Sequence, residues 1–332
     1  MIQAIASHLP AAELTNEKLA ELYDGWTAEK IFEKTGIRRR FVAAPNECPS
    51  DLAFQAAEKL FQTADRAQVD FLLFCTQSPD YVMPTTACVL QHRLGLSTGC
   101  GALDFNLGCS GFIYGMGMAQ SLIQSGIARC ILLLTGECYS RHIHPLDKST
   151  RTIFGDGASA TLLRADSPRK LHSFVFGTDG GGADQIIIKT GAARFARTVG
   201  SRSETRDSSG NVRSDDCLFM NGPEVFNFTL KAVPELVRQV LERAKISLEQ
   251  VDRFVFHQAN GYMLEHLRRK IGIPKEKFAL CLENCGNTVS SSIPITLETL
   301  LNQGTIKHGD RMLLIAFGVG FSWAGCILEW KD

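Results

Sequence analysis

The chain has 332 residues, 45% hydrophobic and 21% charged, with Lys+Arg and Asp+Glu both at 35. Zero formal net charge argues against a general nucleic-acid binder or a polybasic membrane protein. No apolar run approaches the ~18 residues of a transmembrane helix, and the opening Met1 to Ser7 lacks the basic region and long apolar core of a signal peptide. Eleven cysteines are scattered with no Cys-x-x-Cys pair, which suits a reducing cytoplasm better than a disulfide framework. Cys138 with His142 and His144, or Cys281 with Cys285, falls short of four zinc ligands, so no metal is expected. The length exceeds one simple core, so two domains or two fused halves are expected.

In chain order, residues 1–10 read as a strand ending at Pro10. Leu14 to Tyr23 has a helical pattern with Thr15 or Asn16 as cap, and a second helix begins near Ala28. Arg38, Arg39 and Arg40 read as a solvated loop or a phosphate contact. Ser50 to Thr63 is an amphipathic helix, Gln68 to Thr76 a buried strand, and Pro84 to Leu94 a helix with proline in its first turn. A short extended run from Ala102 to Asn106 leads to Cys109, and a helix continues to about Gly126. That places Cys109 on a tight strand-to-helix turn, where unpaired N–H groups and the helix dipole favour thiolate. A lone buried cysteine is more often just a small hydrophobe, so the rest of the chain has to decide. Arg129 to Gly136 is another buried strand, and Phe154 to Leu163 a turn into a strand.

Gly177 to Asp216 differs in texture: three glycines from Gly180, then a long polar stretch with Arg194, Arg197, Arg202, Arg206 and Arg213. A connection of this length reads as a lid or binding loop. The pattern of the first half then returns. Pro223 to Ala244 is a long helix. Gln250-Val-Asp252 leads into a buried strand ending at His257, as Gln68-Val-Asp70 leads into the strand ending at Cys75. Gly286-Asn287 opens a helix as Gly108-Cys109 does. Arg311 to Gly318 echoes Arg129 to Gly136, and Ser322 to Glu329 echoes the strand after Gly157. The chain therefore reads as a duplication: residues 1–170 carry the cysteine, and residues 171–332 carry His257 and Asn287, with a polar insertion at 189–216. Alternating strands and helices predict an α/β sandwich of sheets between helices. Pseudo-twofold symmetry brings the turns of Cys109 and Asn287 together at the seam, with His257 at the same end.

A cysteine nucleophile with His and Asn nearby points to acyl transfer through a thioester. The oxyanion needs backbone donors: the Cys109 amide is one candidate, and the glycine-framed turn Phe317-Gly-Val-Gly320 offers another. If His257 and Asn287 both donate to a second carbonyl, they stabilise an enolate, as decarboxylation of a malonyl thioester requires. Alone, His257 reads as a structural histidine and Asn287 as a helix cap. No organic cofactor is needed. An acyltransferase passing the acyl group to a hydroxyl or amine, a Cys-His-Asn hydrolase and a non-catalytic subunit stand as alternatives.

Taken together, Asn106-Leu-Gly-Cys109-Ser-Gly-Phe112, Phe154-Gly-Asp-Gly157, His257-Gln-Ala-Asn260, Gly286-Asn287-Thr288, Phe317-Gly-Val-Gly-Phe-Ser-Trp323 and Thr35-Gly-Ile-Arg38 resemble the β-ketoacyl-[acyl-carrier-protein] synthase III family over essentially the whole chain. The resemblance implies a thiolase fold in five α/β/α/β/α layers and a homodimer. It implies an acyl-CoA donor and malonyl-carrier protein as acceptor. It implies Cys109 as the acylated nucleophile, His257 and Asn287 as the decarboxylation pair, and the N–H groups of Cys109 and Val319 as the oxyanion hole. Gln258, Ala259, Asn260 and Tyr262 match the carrier-protein contact segment, and Arg269 and Lys270 the basic residues by the tunnel mouth. Lys34 and Arg151 lie in the CoA-binding regions, and Met83 and Phe317 in the acyl pocket. Tyr262, Met83 and Pro223 depart from the family's usual arginine, phenylalanine and asparagine. With the insertion, these departures imply a specialised member rather than the housekeeping initiator of fatty-acid synthesis.

Overall fold

The computed structural model describes residues 1–331. Two mixed sheets form the frame. The first runs in the order Ile2–His8, Gly157–Arg164, Cys130–Glu137, Phe71–Cys75, Gly101–Phe105. The second runs Lys170–Thr178, Ser322–Glu329, Arg311–Gly318, Arg253–Phe256. In both, the central parallel pair (Phe71–Cys75 with Cys130–Glu137, Arg253–Phe256 with Arg311–Gly318) is followed by two antiparallel strands. The fifth strand of the first sheet shrinks in the second to a single parallel bridge, Phe254 to Phe278.

The repeated aspartates explain themselves in this frame. Asp70 accepts from the N–H groups of Arg129 and Cys130, and Asp252 from that of Arg311. Each thus satisfies the backbone donors where the neighbouring central strand begins.

Burial follows the strands' apolar runs. Helices Pro49–Leu60 and Thr86–Arg93 cover the outer face of the first sheet, packing Leu52, Ala56 and Leu90 onto Leu72, Phe74 and Leu132. Helices Gly222–Ala244 and Gly261–Ile271 cover the outer face of the second, packing Val233, Leu236 and Leu264 onto Phe254, Phe256 and Ile315. Between the sheets lie Gly111–Gln124 and Ser292–Asn302, whose Phe112, Met116, Ile293 and Leu297 touch both. These are five α/β/α/β/α layers. The helices that begin just after Cys109 and Asn287 form the middle one, and being covered on both sides they are apolar around most of their circumference.

Several local expectations change. The helix expected over Leu14 to Tyr23 is only Asn16–Ala20, capped by Thr15. Pro84 lies outside its helix, which starts at Thr86; the backbone N–H groups of Thr86 and Ala87 are held by Asp104. Arg40 is neither solvated nor a phosphate contact. It is fully buried in a strand, donating to the carbonyls of Leu14 and Thr152 and to Asn16 Oδ1. The insertion is folded onto the body: a two-stranded hairpin pairs Thr205–Arg206 with Val212–Arg213, and Arg213 holds the fully buried Asp147 at 3.0 Å.

Candidate active site

Cys109 sits between the end of strand Gly101–Phe105 and the first turn of helix Gly111–Gln124, for which Ser110 is the N-cap. The turn needs glycine for close approach. A Cβ on Gly111 would lie 2.2 Å from Cys75 Sγ, and one on Gly108 2.4 Å from Gln77 Oε1. The second sheet reaches the same point. A Cβ on Gly318 would stand 2.7 Å from Cys109 Sγ, so the end of strand Arg311–Gly318 packs directly on the nucleophile. Ser110 Oγ and Ser322 Oγ hydrogen-bond at 2.6 Å across the two halves.

The electrostatics correct one expectation. Burial pushes the Cys109 thiol up to about 12, while the backbone N–H groups of Val319 and Cys109 pull in the opposite direction without prevailing. The resting group is therefore the thiol. Those two N–H groups converge on the sulfur.

His257 follows strand Arg253–Phe256 and is buried. Its Nδ1 lies 2.7 Å from Ser292 Oγ, and with that hydroxyl as donor the proton of the neutral ring sits on Nε2. Its ring stands edge-on to Phe317, centroids 5.7 Å apart. Burial lowers its pKa to about 3, against a smaller upward pull from the Val289 backbone, so the imidazole is neutral. Asn287 is buried too, and its Oδ1 accepts from the Val289 N–H at 2.9 Å. Its Nδ2 is thereby turned away and has no acceptor among the described residues. It is not a simple helix cap: a 3-10 turn, Val289–Ser291, separates it from helix Ser292–Asn302.

One cavity of about 430 Å³ has Cys109, His257, Asn287 and Phe317 in its wall, with Lys34 and Tyr262 among the other lining residues. Ala259 and Asn260 line it as well, and Asn260 caps helix Gly261–Ile271 through the Met263 N–H.

Other candidates fall elsewhere. Gln258 is buried, its amide bonded to Phe256, Ala279 and Cys281 backbone groups, so it braces the fold and offers no surface to a carrier protein. Arg151 donates to the Ser140 carbonyl and lies outside the cavity wall. Arg269 and Lys270 are exposed on helix Gly261–Ile271, Arg269 paired with Glu265. Met83 is 80% exposed beside Val82 at 99%, and lines no part of its own chain's cavity. No sequence motif singles out Trp26, around whose ring the ammonium groups of Lys30, Lys34 and Lys148 gather at 5.3–5.8 Å. The same holds for Ser292, Tyr139 and Glu137. Only the lysines clustered after Trp26 hinted at any of these.

Comparison with known proteins agrees with this geometry. Residues 103–180 match the family model 3-oxoacyl-[acyl-carrier-protein] synthase III, and residues 241–330 match the model of that enzyme's C terminal part. The chain is 37% identical to β-ketoacyl-[acyl-carrier-protein] synthase III 2 of Halalkalibacterium halodurans, over 99% of this chain and 96% of the relative. It superimposes on a crystal structure of a 3-oxoacyl-(acyl-carrier-protein) synthase III with a TM-score of 0.98 and 53% identity, over 99% of each chain. It also superimposes on the priming β-ketosynthase of a polyketide biosynthetic pathway with a TM-score of 0.85 and 27% identity, over all of this chain and 96% of that one. With its five layers and these relatives, the chain is a thiolase-fold acyltransferase and belongs to the β-ketoacyl-[acyl-carrier-protein] synthase III family.

Proposed function

We propose that Cys109 takes the acyl group of an acyl-CoA and passes it to the carbanion of a malonyl thioester. The observation that carries this reading is the convergence in one cavity of a thiol faced by two backbone N–H groups and of two neutral side-chain donors, His257 and Asn287. In the first step Cys109 Sγ bonds to the acyl carbon, the bond to CoA sulfur breaks, and the thiol proton ends on CoA. The tetrahedral oxygen is held by the Cys109 and Val319 N–H groups. In the second step the malonyl carboxylate leaves as carbon dioxide, and its bonding pair becomes an enolate whose oxygen accepts from His257 Nε2 and Asn287 Nδ2. The enolate carbon attacks the Cys109 thioester. The β-ketoacyl thioester departs, and the released thiolate takes up one proton. Neutral donors suit this step, because they stabilise the developing charge without being titrated by it.

The malonyl group arrives on acyl-carrier protein, with Arg269, Lys270 and Tyr262 near the mouth as its contacts and the Trp26 lysines as contacts for CoA phosphates. No cofactor takes part. The exposed Tyr81-Val-Met83 segment is an apolar projection that a second copy would cover, as a homodimer. In such a dimer Met83 would act on the partner's acyl pocket. Residues 1–170 supply the nucleophile, and residues 171–332 the decarboxylation pair. Eleven free thiols fit a cytoplasmic enzyme. The folded insertion and the likeness to a priming ketosynthase support a specialised member. Rescue of growth in a strain lacking its initiating synthase would count against that specialisation.

The test is carbon dioxide release from malonyl-carrier protein. The reading expects one carbon dioxide per β-ketoacyl product, and loss of release in His257→Ala and Asn287→Ala while Cys109 still acylates. Transfer of the acyl group to a hydroxyl or amine without carbon dioxide would favour the simple acyltransferase instead.

A further inference from the structure

A second cavity, of about 360 Å³, adjoins the first. Ile186 lines both, and Val319, whose N–H faces the Cys109 sulfur, lines the second. On the proposed function, on which this inference rests, the two spaces have different tenants. The first holds His257 and Asn287, so the malonyl thioester must enter it after acylation. The acyl tail on Cys109 has to vacate that space, and the cavity beyond Val319 lies on the nucleophile's side to take it.

That chamber is not lined for a plain alkyl chain. Ile186, Ile187, Ile188 and Leu218 make an apolar wall. The same lining also holds Gln77, Asn106, His142 and Arg197. The Tyr139 hydroxyl donates to Gln77 Oε1, which fixes the amide and leaves Gln77 Nε2 as a donor with no acceptor among the described residues. The Asn106 side chain likewise makes no hydrogen bond among the described residues. Burial, with the charges of Arg197 and Arg141, lowers the His142 pKa and keeps that ring neutral. Arg197 comes from the insertion and brings a permanent positive charge to the wall.

Two carboxylates stand near the chamber without lining it, and Asp216 offsets part of the Arg197 charge from outside. Glu137 accepts from the Gln77 N–H and from Ser78 Oγ, lies behind the wall, and is pushed up to about 8 by burial. Asp216 is bonded to Thr190 Oγ1 and held low by hydrogen bonds from Ser201 and Thr190 and by the charges of Arg197 and Arg202. Neither carboxylate lines the cavity. The chamber thus combines apolar side chains with amide donors and a guanidinium in one lining.

We propose that this chamber selects an acyl group ending in a carboxylate, the monothioester of a short dicarboxylic acid, over an alkyl chain of the same length. The apolar wall packs the methylenes. Gln77, Asn106 and Arg197 take the terminal carboxylate. The acyl transfer itself is unchanged: thioester for thioester, with the thiol proton moving to CoA.

The test compares two five-carbon donors, glutaryl-CoA and pentanoyl-CoA, by the initial rate of mass gain on the intact full-length protein. The inference expects glutaryl-CoA to acylate Cys109 at least tenfold faster. Arg197 is exposed, so Arg197→Met is expected to fold, and it should lower the glutaryl-to-pentanoyl ratio at least tenfold. Equal or faster acylation by pentanoyl-CoA, or a ratio untouched by Arg197→Met, overturns the inference and leaves the proposed function standing. Acylation by neither of these donors while an acyl-CoA of another chain length acylates Cys109 overturns this inference alone; acylation by no acyl-CoA or acyl-carrier protein overturns the proposed function with it.

Discussion

Phe154 and Asn287, one from each sequence half, pair as a parallel β-bridge: the Gly155 N–H donates to the Asn287 carbonyl and the Asn287 N–H to the Ile153 carbonyl, both at 3.0 Å. The side chain that is to meet the malonyl carbonyl is therefore registered against the first half by backbone hydrogen bonds. The bridge works only if both strands come close. A Cβ on Gly155 would lie 2.6 Å from the Cys285 carbonyl, and Gly286 has φ +72° with the Ile153 carbonyl 2.9 Å from its would-be Cβ.

Gly155→Ala is accordingly expected to spread the bridge. Overpacking against backbone costs about 1–3 kcal/mol, read as a lower melting temperature. Malonyl decarboxylation should fall more than Cys109 acylation, because Asn287 moves and the Cys109 turn does not. Equal loss of the two rates would show that the bridge does not position Asn287 alone.

Gly318→Ala tests the other contact. Its Cβ would stand 2.7 Å from both Cys109 Cβ and Sγ, where an acyl carbon must approach. Acylation measured by intact mass should drop at least about 100-fold, the scale on which a misplacement of about 1 Å acts. A variant acylating within threefold of wild type would contradict the packing.

Ser292→Ala removes the partner of His257 Nδ1. A net hydrogen bond is worth about 0.5–1.5 kcal/mol, so decarboxylation should slow by up to about tenfold. The acylation rate should be unchanged, since Ser292 touches the histidine and not the cysteine.

The pH behaviour of the nucleophile follows from its burial. With the thiol raised to about 12 and His257 lowered to about 3, no thiolate–imidazolium pair forms at neutral pH. Iodoacetamide alkylation of Cys109 should rise about tenfold per pH unit from pH 6 to 9 without a plateau. A plateau near pH 7 would show an activated ion pair instead.

Stability should carry a separate signature from Glu137. Burial raises its carboxyl from the ordinary 4.5 to about 8, so the fold binds a proton that the unfolded chain releases. That contribution is full below pH 4.5 and is lost as pH rises toward 8, on the order of 5 kcal/mol in all. The melting temperature of Glu137→Gln should be flatter than that of wild type between pH 5 and 8.

What was legible in the sequence followed from repetition and backbone chemistry. Asp70 and Asp252 mark equivalent strand entries because each feeds N–H groups at the start of a neighbouring strand, a local requirement that leaves a local motif. Cys109 and Asn287 were legible as paired turns for the same reason. Arg40 was not, because nothing in three consecutive arginines tells which one will point inward; its partners, Asn16 and the carbonyls of Leu14 and Thr152, come from distant segments. Gln258 matched the carrier-protein contact segment only through the family resemblance, yet its amide is turned onto the Ala279 and Cys281 backbone. The thiolate expected from the helix start yields to desolvation, since the turn is covered by the second sheet, which no local reading contains.

The most direct test is discharge of the acylated enzyme. Protein carrying one acyl group on Cys109 is isolated, malonyl-carrier protein is added, and intact mass is followed together with carbon dioxide. The account predicts that the acyl mass disappears in step with one equivalent of carbon dioxide, the carrier gaining the β-ketoacyl group, and that Cys109→Ala never acquires the mass. Acyl loss to water or to a hydroxyl or amine acceptor without carbon dioxide would contradict it, as would turnover by Cys109→Ala.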